Sequence, residues 1–249
     1  MHSLLLALTG LLNHLFGAQV TALLYKLGIH PARPAAPIND RFTLQLVVAL
    51  VMVVFFIVVR ATLSVEKPTR LQHLAEMVHG FVDEQAQSVM GRHGYEAHLP
   101  FVTTILAFVL ICNIMGLLPG IATPTASPVV PLGIAIVTFF YYNYHGVRTQ
   151  GPIGYFKHFL GPVLWISPLM FPIEIISNLT RVMSLTVRLY ANMFASDLLT
   201  LVFFSMIPIG IPVIFLGLHL GVALIQAYVF MLLTMIYLGE ATAHMDATI

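Results

Sequence analysis

Over residues 42–59 the chain carries only two polar side chains, Thr43 and Gln45, both near the start of the run. A helix of ~20 mostly apolar residues is what crosses a bilayer core. Apolar stretches of this kind recur at 99–118, 129–144, 168–206 and 213–238. Charged side chains make up 8% of the 249 residues and hydrophobic ones 59%, against ~25% charged in a soluble domain. Lipid, not water, must therefore surround most of the chain. The expected fold class is an all-α integral membrane protein with about five transmembrane helices.

Breaks between the runs give the organisation. The second run stops at Pro119-Gly120, and a connection punctuated by Pro124, Pro128 and Pro131 follows. The third ends in Phe139, Phe140, Tyr141, Tyr142 and Tyr144, an aromatic cluster expected at a membrane interface. Past His145 the pattern reads as a polar loop with Arg148 and Lys157. The last two runs, separated by Pro208, Gly210 and Pro212, read as a long C-terminal helical hairpin. Its first arm exceeds the bilayer thickness, so it must tilt or bend. Between runs one and two, Leu71, Leu74, Val78, Phe81, Val82 and Val89 recur at helical spacing among charged and polar residues. That is an amphipathic helix over 65–90, expected on the membrane surface or against a partner.

Residues 1–41 read as an N-terminal extracytoplasmic segment, and 42–249 as the transmembrane domain. Leu4 to Leu12 resembles a short signal core, but no Lys or Arg precedes it and no small-residue cleavage site follows. A lipid-facing amphipathic segment is the preferred reading. Positive charge orients the rest. Arg60, Lys67, Arg70 and Arg92 lie in one connection and Arg148 and Lys157 in another, while Lys26, Arg33 and Arg41 precede the first span. The N-terminus is then outside and the C-terminus cytoplasmic. A net charge of +1 with no charged tail leaves nucleic acid without a binding surface. Cys112 stands alone, so no intramolecular disulfide forms.

Chemistry concentrates in the fourth span. Glu174, Ser177, Arg181, Ser184, Arg188 and Asn192 follow one another at helix-face spacing among Ile, Leu, Val and Met. Lipid does not solvate such a stripe, so it lines a water path or faces protein. Arg188 lies deepest in apolar sequence. An Arg near the bilayer centre costs ~2.5–3.5 kcal/mol on insertion scales, and it cannot deprotonate to escape that cost. It needs a negative partner. Glu174 and Asp197 lie ~21 Å and ~13.5 Å along the same helix, too far for pairing. Asp197 also points to roughly the opposite face. The partner of Arg188 is expected on another subunit. The fifth span adds His219 and Gln226 on one face, ~10.5 Å apart, with Glu240 at its far end. Asp197 and His219 sit at comparable offsets from the hairpin turn, which makes them expected neighbours able to pass protons. Asn178-Leu179-Thr180 matches a glycosylation acceptor, but it lies within a span and is read as noise.

The run Ser184-Leu-Thr-Val-Arg188-Leu-Tyr-Ala-Asn192-Met-Phe-Ala-Ser-Asp197-Leu resembles the signature of subunit a of rotary F-type ATP synthases. Residues 219–233 resemble that family's last helix, and Asn113-Ile-Met-Gly-Leu-Leu-Pro119 its N-x-x-x-L-L-P segment. The resemblance implies that Arg188 faces the ring of c subunits, each with a mid-membrane carboxylate. Asn192, Asp197, His219 and Gln226 would belong to a half-channel open to the outside, and Glu174 and Ser177 to one open to the cytoplasm. The surface helix would lie near the peripheral stalk of b subunits. The membrane would be the bacterial plasma (inner) membrane. Two departures stand out. Asp197 occupies a position where many members carry Glu, and Gly116 one where some carry an acid, so no channel role is expected around Gly116.

No phosphate-binding G-x-x-x-x-G-K-[S/T] loop occurs, so ATP chemistry belongs to other subunits. No cofactor or metal site is expected. The alternative is a self-contained proton-coupled secondary transporter, which predicts an internal repeat and broken helices at a substrate site. The sequence has no repeat. A haem-carrying electron-transfer protein needs paired axial histidines within spans, and of 11 His only His219 lies deep in one.

Overall fold

A computed structural model describes residues 2–26, 37–38, 40–61, 63, 69–91, 94–117, 123–160, 167–206 and 211–242. Among these residues there are seven α-helices and no strand: α1 (His2–Lys26), α2 (Asp40–Ala61), α3 (Arg70–Met90), α4 (Leu99–Met115), α5 (Val129–Leu160), α6 (Ser167–Met206) and α7 (Ile211–Thr242). Short 3-10 turns, Tyr95–His98 and Pro124–Ala126, precede α4 and α5. The chain is an all-α membrane protein.

Five helices hold a stretch long and apolar enough to cross a membrane: Leu6–Lys26, Phe42–Ala61, Tyr95–Met115, Leu169–Ser205 and Val213–Thr242. Four of them coincide with runs expected from the sequence. The fifth is α1 and not the 129–144 run, which is helical but dilutes its apolar half with Tyr and Asn. α5 also corrects the polar loop expected after His145. The helix continues through Arg148 to a break at Gly151, whose φ of 74° only glycine adopts cheaply, and then runs on to Leu160.

α1 packs in the reverse sense of a water-surface amphipath. Thr9 and Asn13 turn toward the protein, where Thr9 Oγ1 donates to Thr43 Oγ1 at 3.1 Å. Asn13 Nδ2 donates to the Ile38 carbonyl, and the Ile38 N–H donates back to Asn13 Oδ1, both at 3.0 Å. Leu6, Leu11, Leu15, Phe16 and Leu23 stay exposed, as suits a helix whose outer solvent is lipid.

The core lies where α4, α6 and α7 meet. Val102 and Val109, Leu189 and Met193, and Phe230, Met231 and Met235 are buried together there. The amphipathic helix, α3, starts at Thr69, whose side chain accepts from the Gln72 N–H, and ends at Gly91, φ 85°. It docks on this core through Val78, Val82, Ala86 and Val89, while Leu71, Leu74 and Phe81 remain exposed. Phe230→Ala removes the largest fully buried side chain. It is expected to cost ~3–5 kcal/mol, read as a lower melting temperature of the detergent-solubilised protein.

α6 is 40 residues long, ~60 Å at the helical rise, about twice the thickness of a hydrocarbon core. It therefore crosses the membrane strongly tilted, with Pro172 inside its first turns. Packed against α7, it forms the C-terminal hairpin and carries the polar groups described next.

Candidate functional site

The stripe read along α6 divides into separate groups. Nearest its N-terminus, Asn178 Nδ2 donates to Glu174 Oε1 at 3.4 Å, and Tyr142 Oη donates to Asn178 Oδ1 at 3.0 Å. Asn178 is buried, so the glycosylation reading fails on access alone. Ser177, partly buried, lies beside Asn178 on the same turn.

Arg181 leaves the stripe for α7. Its Nη1 lies 2.6 Å from Glu240 Oε2, and its guanidinium sits 4.9 Å from the centre of the Tyr237 ring. The pair ties the first half of α6 to the end of α7. Glu240 is half exposed, so water screens the attraction. Glu240→Gln is expected to shift stability by less than ~1 kcal/mol, as a thermal melt would register.

Arg188 is different. It is partly buried, its Nη2 lies 3.4 Å from Ser184 Oγ one turn away, and among the described residues no carboxylate comes within ion-pairing distance. One turn on, Asn192 Nδ2 donates to the buried Gln226 Oε1 at 2.9 Å. This bond places the α6 and α7 amides beside an open crevice of about 320 Å³ lined by Asn192, Ser196, Gln226, Leu199, Leu218, Val222 and Ile225.

Toward the hairpin turn, Asp197 and His219 meet, as their comparable offsets from that turn suggested. His219 Nδ1 lies 3.7 Å from Asp197 Oδ1. The imidazole is buried, with Nδ1 2.7 Å from Ser196 Oγ and Nε2 3.3 Å from the Asn113 carbonyl oxygen. A carbonyl only accepts, so Nε2 carries the proton in neutral His219. That leaves the Nδ1 lone pair facing Ser196 and Asp197.

Sequence reading missed the rest of this cluster. The proline-punctuated connection does not stay at the surface. Its 3-10 turn folds inward, burying Thr123, Pro124, Thr125 and Ala126. Thr123 Oγ1 donates to Asp197 Oδ1 at 2.7 Å, with the Thr123 N–H 3.4 Å from Oδ2. Thr125 Oγ1 donates to Asn113 Oδ1 at 2.7 Å, and Asn113 Nδ2 donates to the Ala223 carbonyl at 3.4 Å. Non-helical backbone survives at membrane depth only where protein or a polar cavity satisfies it, and these bonds do so. Gly116, set aside in the sequence reading, lies in contact with Thr123 and His219. The proline spacing was the one available signal, and it marks a turn without saying which way the turn folds.

The outcome is an acid–imidazole pair toward one end of α6, a carboxylate group toward the other, and between them an arginine that pairs with no carboxylate among the described residues. A family model described as ATP synthase A chain matches residues 42–239. The chain belongs to the ATP synthase A chain family. The match begins in α2 and takes in the Glu174 group, Arg188 and the Asp197–His219 cluster, leaving α1 outside it. It is 51% identical over 236 residues to the ATP synthase subunit a of Koribacter versatilis, covering 95% of this chain and 96% of that one. It is 45% identical over 233 residues to the ATP synthase subunit a of Solibacter usitatus, covering 93% and 98%.

Proposed function

We propose that this chain is the proton-conducting stator, subunit a, of the membrane sector of a rotary ATP synthase. It presents two offset half-channels to the mid-membrane carboxylates of a c-subunit ring. Asp197, His219, Asn192 and Gln226 carry protons on the outer side, and Glu174 and Ser177 on the cytoplasmic side. Arg188 separates the two. The observation that carries this reading is the cation midway along α6 that no carboxylate of its own chain neutralises among the described residues. A permanent charge in an apolar helix stays there only if something outside supplies the counter-charge.

The mechanism follows from electrostatics. A proton reaching a ring carboxylate neutralises it, and the neutral acid can turn into lipid. After rotation the acid meets the other half-channel and releases its proton. Arg188 favours the ionised carboxylate beside it and repels protons, so they cannot pass straight between the half-channels. The membrane potential drives the cycle with ~2.3 kcal/mol per charge per 100 mV. The subunit itself is non-catalytic, ATP chemistry lying elsewhere in the complex. It sits in the bacterial plasma membrane with the N-terminus outside and the C-terminus in the cytoplasm. The 129–144 stretch of α5 is the fifth crossing beside α2, α4, α6 and α7, α1 is embedded without crossing, and α3 lies along the surface beside the b-subunit stalk.

A cysteine at Ala191, exposed one turn-face from Arg188, tests the arrangement. Oxidative cross-linking in native membranes is expected to join it to a cysteine beside the ring carboxylate of a small hairpin protein. A chain that purifies alone and never cross-links is a self-contained transporter, and the stator reading is then wrong.

A further inference from the structure

Gly116 closes α4 with φ −66° and ψ −16°, ordinary right-handed backbone open to any residue. Conformation does not require glycine there. Space does. A Cβ at 116 would run into Thr123 Oγ1, lie 3.0 Å from Thr123 Cβ and 3.1 Å from His219 Nε2. The hydroxyl that would be displaced is the one donating to Asp197 Oδ1 at 2.7 Å. The ring that would be pushed is the one whose Nδ1 stands 3.7 Å from the same oxygen.

We infer that Gly116 and Thr123 act as one positioning unit: the side chain missing at 116 is the space from which Thr123 holds Asp197 against His219. Thr123 is fully buried and brings two donors, its hydroxyl and its N–H, one to each carboxylate oxygen. Asp197 itself is partly exposed. Without the hydroxyl its carboxylate can swing out of reach of the imidazole. A hydroxyl suits a carboxyl that titrates, because it donates to the ionised form and accepts from the protonated one. Neither an alanine nor a valine can follow that change. Neither residue touches the ring; both act through Asp197.

The inference rests on the proton path proposed above, so the experiment separates the two. Proton conduction is measured in membrane vesicles bearing the assembled complex stripped of its water-soluble sector, with assembly checked by ring co-purification. Thr123→Val is expected to lower conduction about tenfold, the scale of one hydrogen bond to a charged acceptor. Thr123→Ser, which restores the hydroxyl, is expected to stay within about twofold of the parent, since the bond itself is kept. Gly116→Ala is expected to lose as much as Thr123→Val, yet to add much less on a Thr123→Ala background, where the hydroxyl it would displace is gone and only the tighter contacts with the residue-123 Cβ and His219 Nε2 remain. Thr123→Ala cannot clash and carries the test where valine is not accommodated. Parental conduction in Thr123→Val and Thr123→Ala overturns the inference, as does an equal loss in Thr123→Ser or a harmless Gly116→Ala. Asp197→Asn is the control. If it conducts like the parent, the proton path itself is wrong; if it alone fails while the Thr123 variants conduct, only the positioning role falls.

Discussion

Vesicles carrying Arg188→Ala are expected to show no ATP-driven acidification and a raised passive proton leak. The reason is the charge and not the packing. Arg188 is partly buried, its Nη2 lies 3.4 Å from Ser184 Oγ, and no carboxylate among the described residues pairs with it, so truncation leaves none of those acids unpaired. What disappears is the field. A proton ~4 Å from a fixed cation is disfavoured by ~4 kcal/mol at an effective dielectric constant of 20, about three orders of magnitude in occupancy. Removing that barrier joins the two half-channels, and protons cross without turning the ring. Arg188→Lys keeps a charge but one that can deprotonate when desolvated. It is expected to pump weakly and to fail first at high pH. Undiminished pumping by the alanine variant would remove the basis for the separating charge.

Asp197→Asn is the second large effect. The amide keeps the size of the carboxyl, and its oxygen can still accept from Thr123. It cannot take up or release a proton. Proton-transfer groups held in place contribute ~10²–10⁴-fold, so conduction is expected to fall at least ~100-fold with assembly intact. Asp197→Glu separates titration from reach. Its extra methylene must be accommodated between Thr123 and His219, and partial activity, between parent and Asn, is the expected result. Vesicle acidification rates across the three proteins decide the point. An Asn variant that pumps at the parental rate excludes Asp197 from the path.

How much of this was legible in one sequence depends on which forces wrote it. The spans were, because a bilayer demands ~20 apolar residues whatever the tertiary fold, and α2, α4, α6 and α7 lie where the runs placed them. Arg188 stood out because a cation that cannot neutralise itself is conspicuous among Ile, Leu and Val. The meeting of Asp197 and His219 followed from a hairpin's symmetry of offsets.

Elsewhere periodicity misled or fell silent. Arg181 shares helix phase with Arg188, yet it pairs with Glu240, because helix phase fixes a direction and not the neighbour found there. The loop expected past His145 is helix up to Gly151. Polar residues alone do not end a helix; the positive φ of a glycine does. α1 turns Thr9 and Asn13 inward and leaves large apolar side chains outside, which in lipid is the lower-energy choice and in water would be the higher.

From its residues alone, then, this chain is bound to be helical and membrane-embedded, with Arg188 deep in the apolar sequence of α6. Those properties come from solvent and from local geometry, which act on each segment separately. Only the tertiary structure decided that the proline-rich turn folds inward, that Thr123 reaches Asp197, and that Gly116 leaves it room. Those contacts join residues far apart in the chain, and their energies depend on how helices already formed choose to pack.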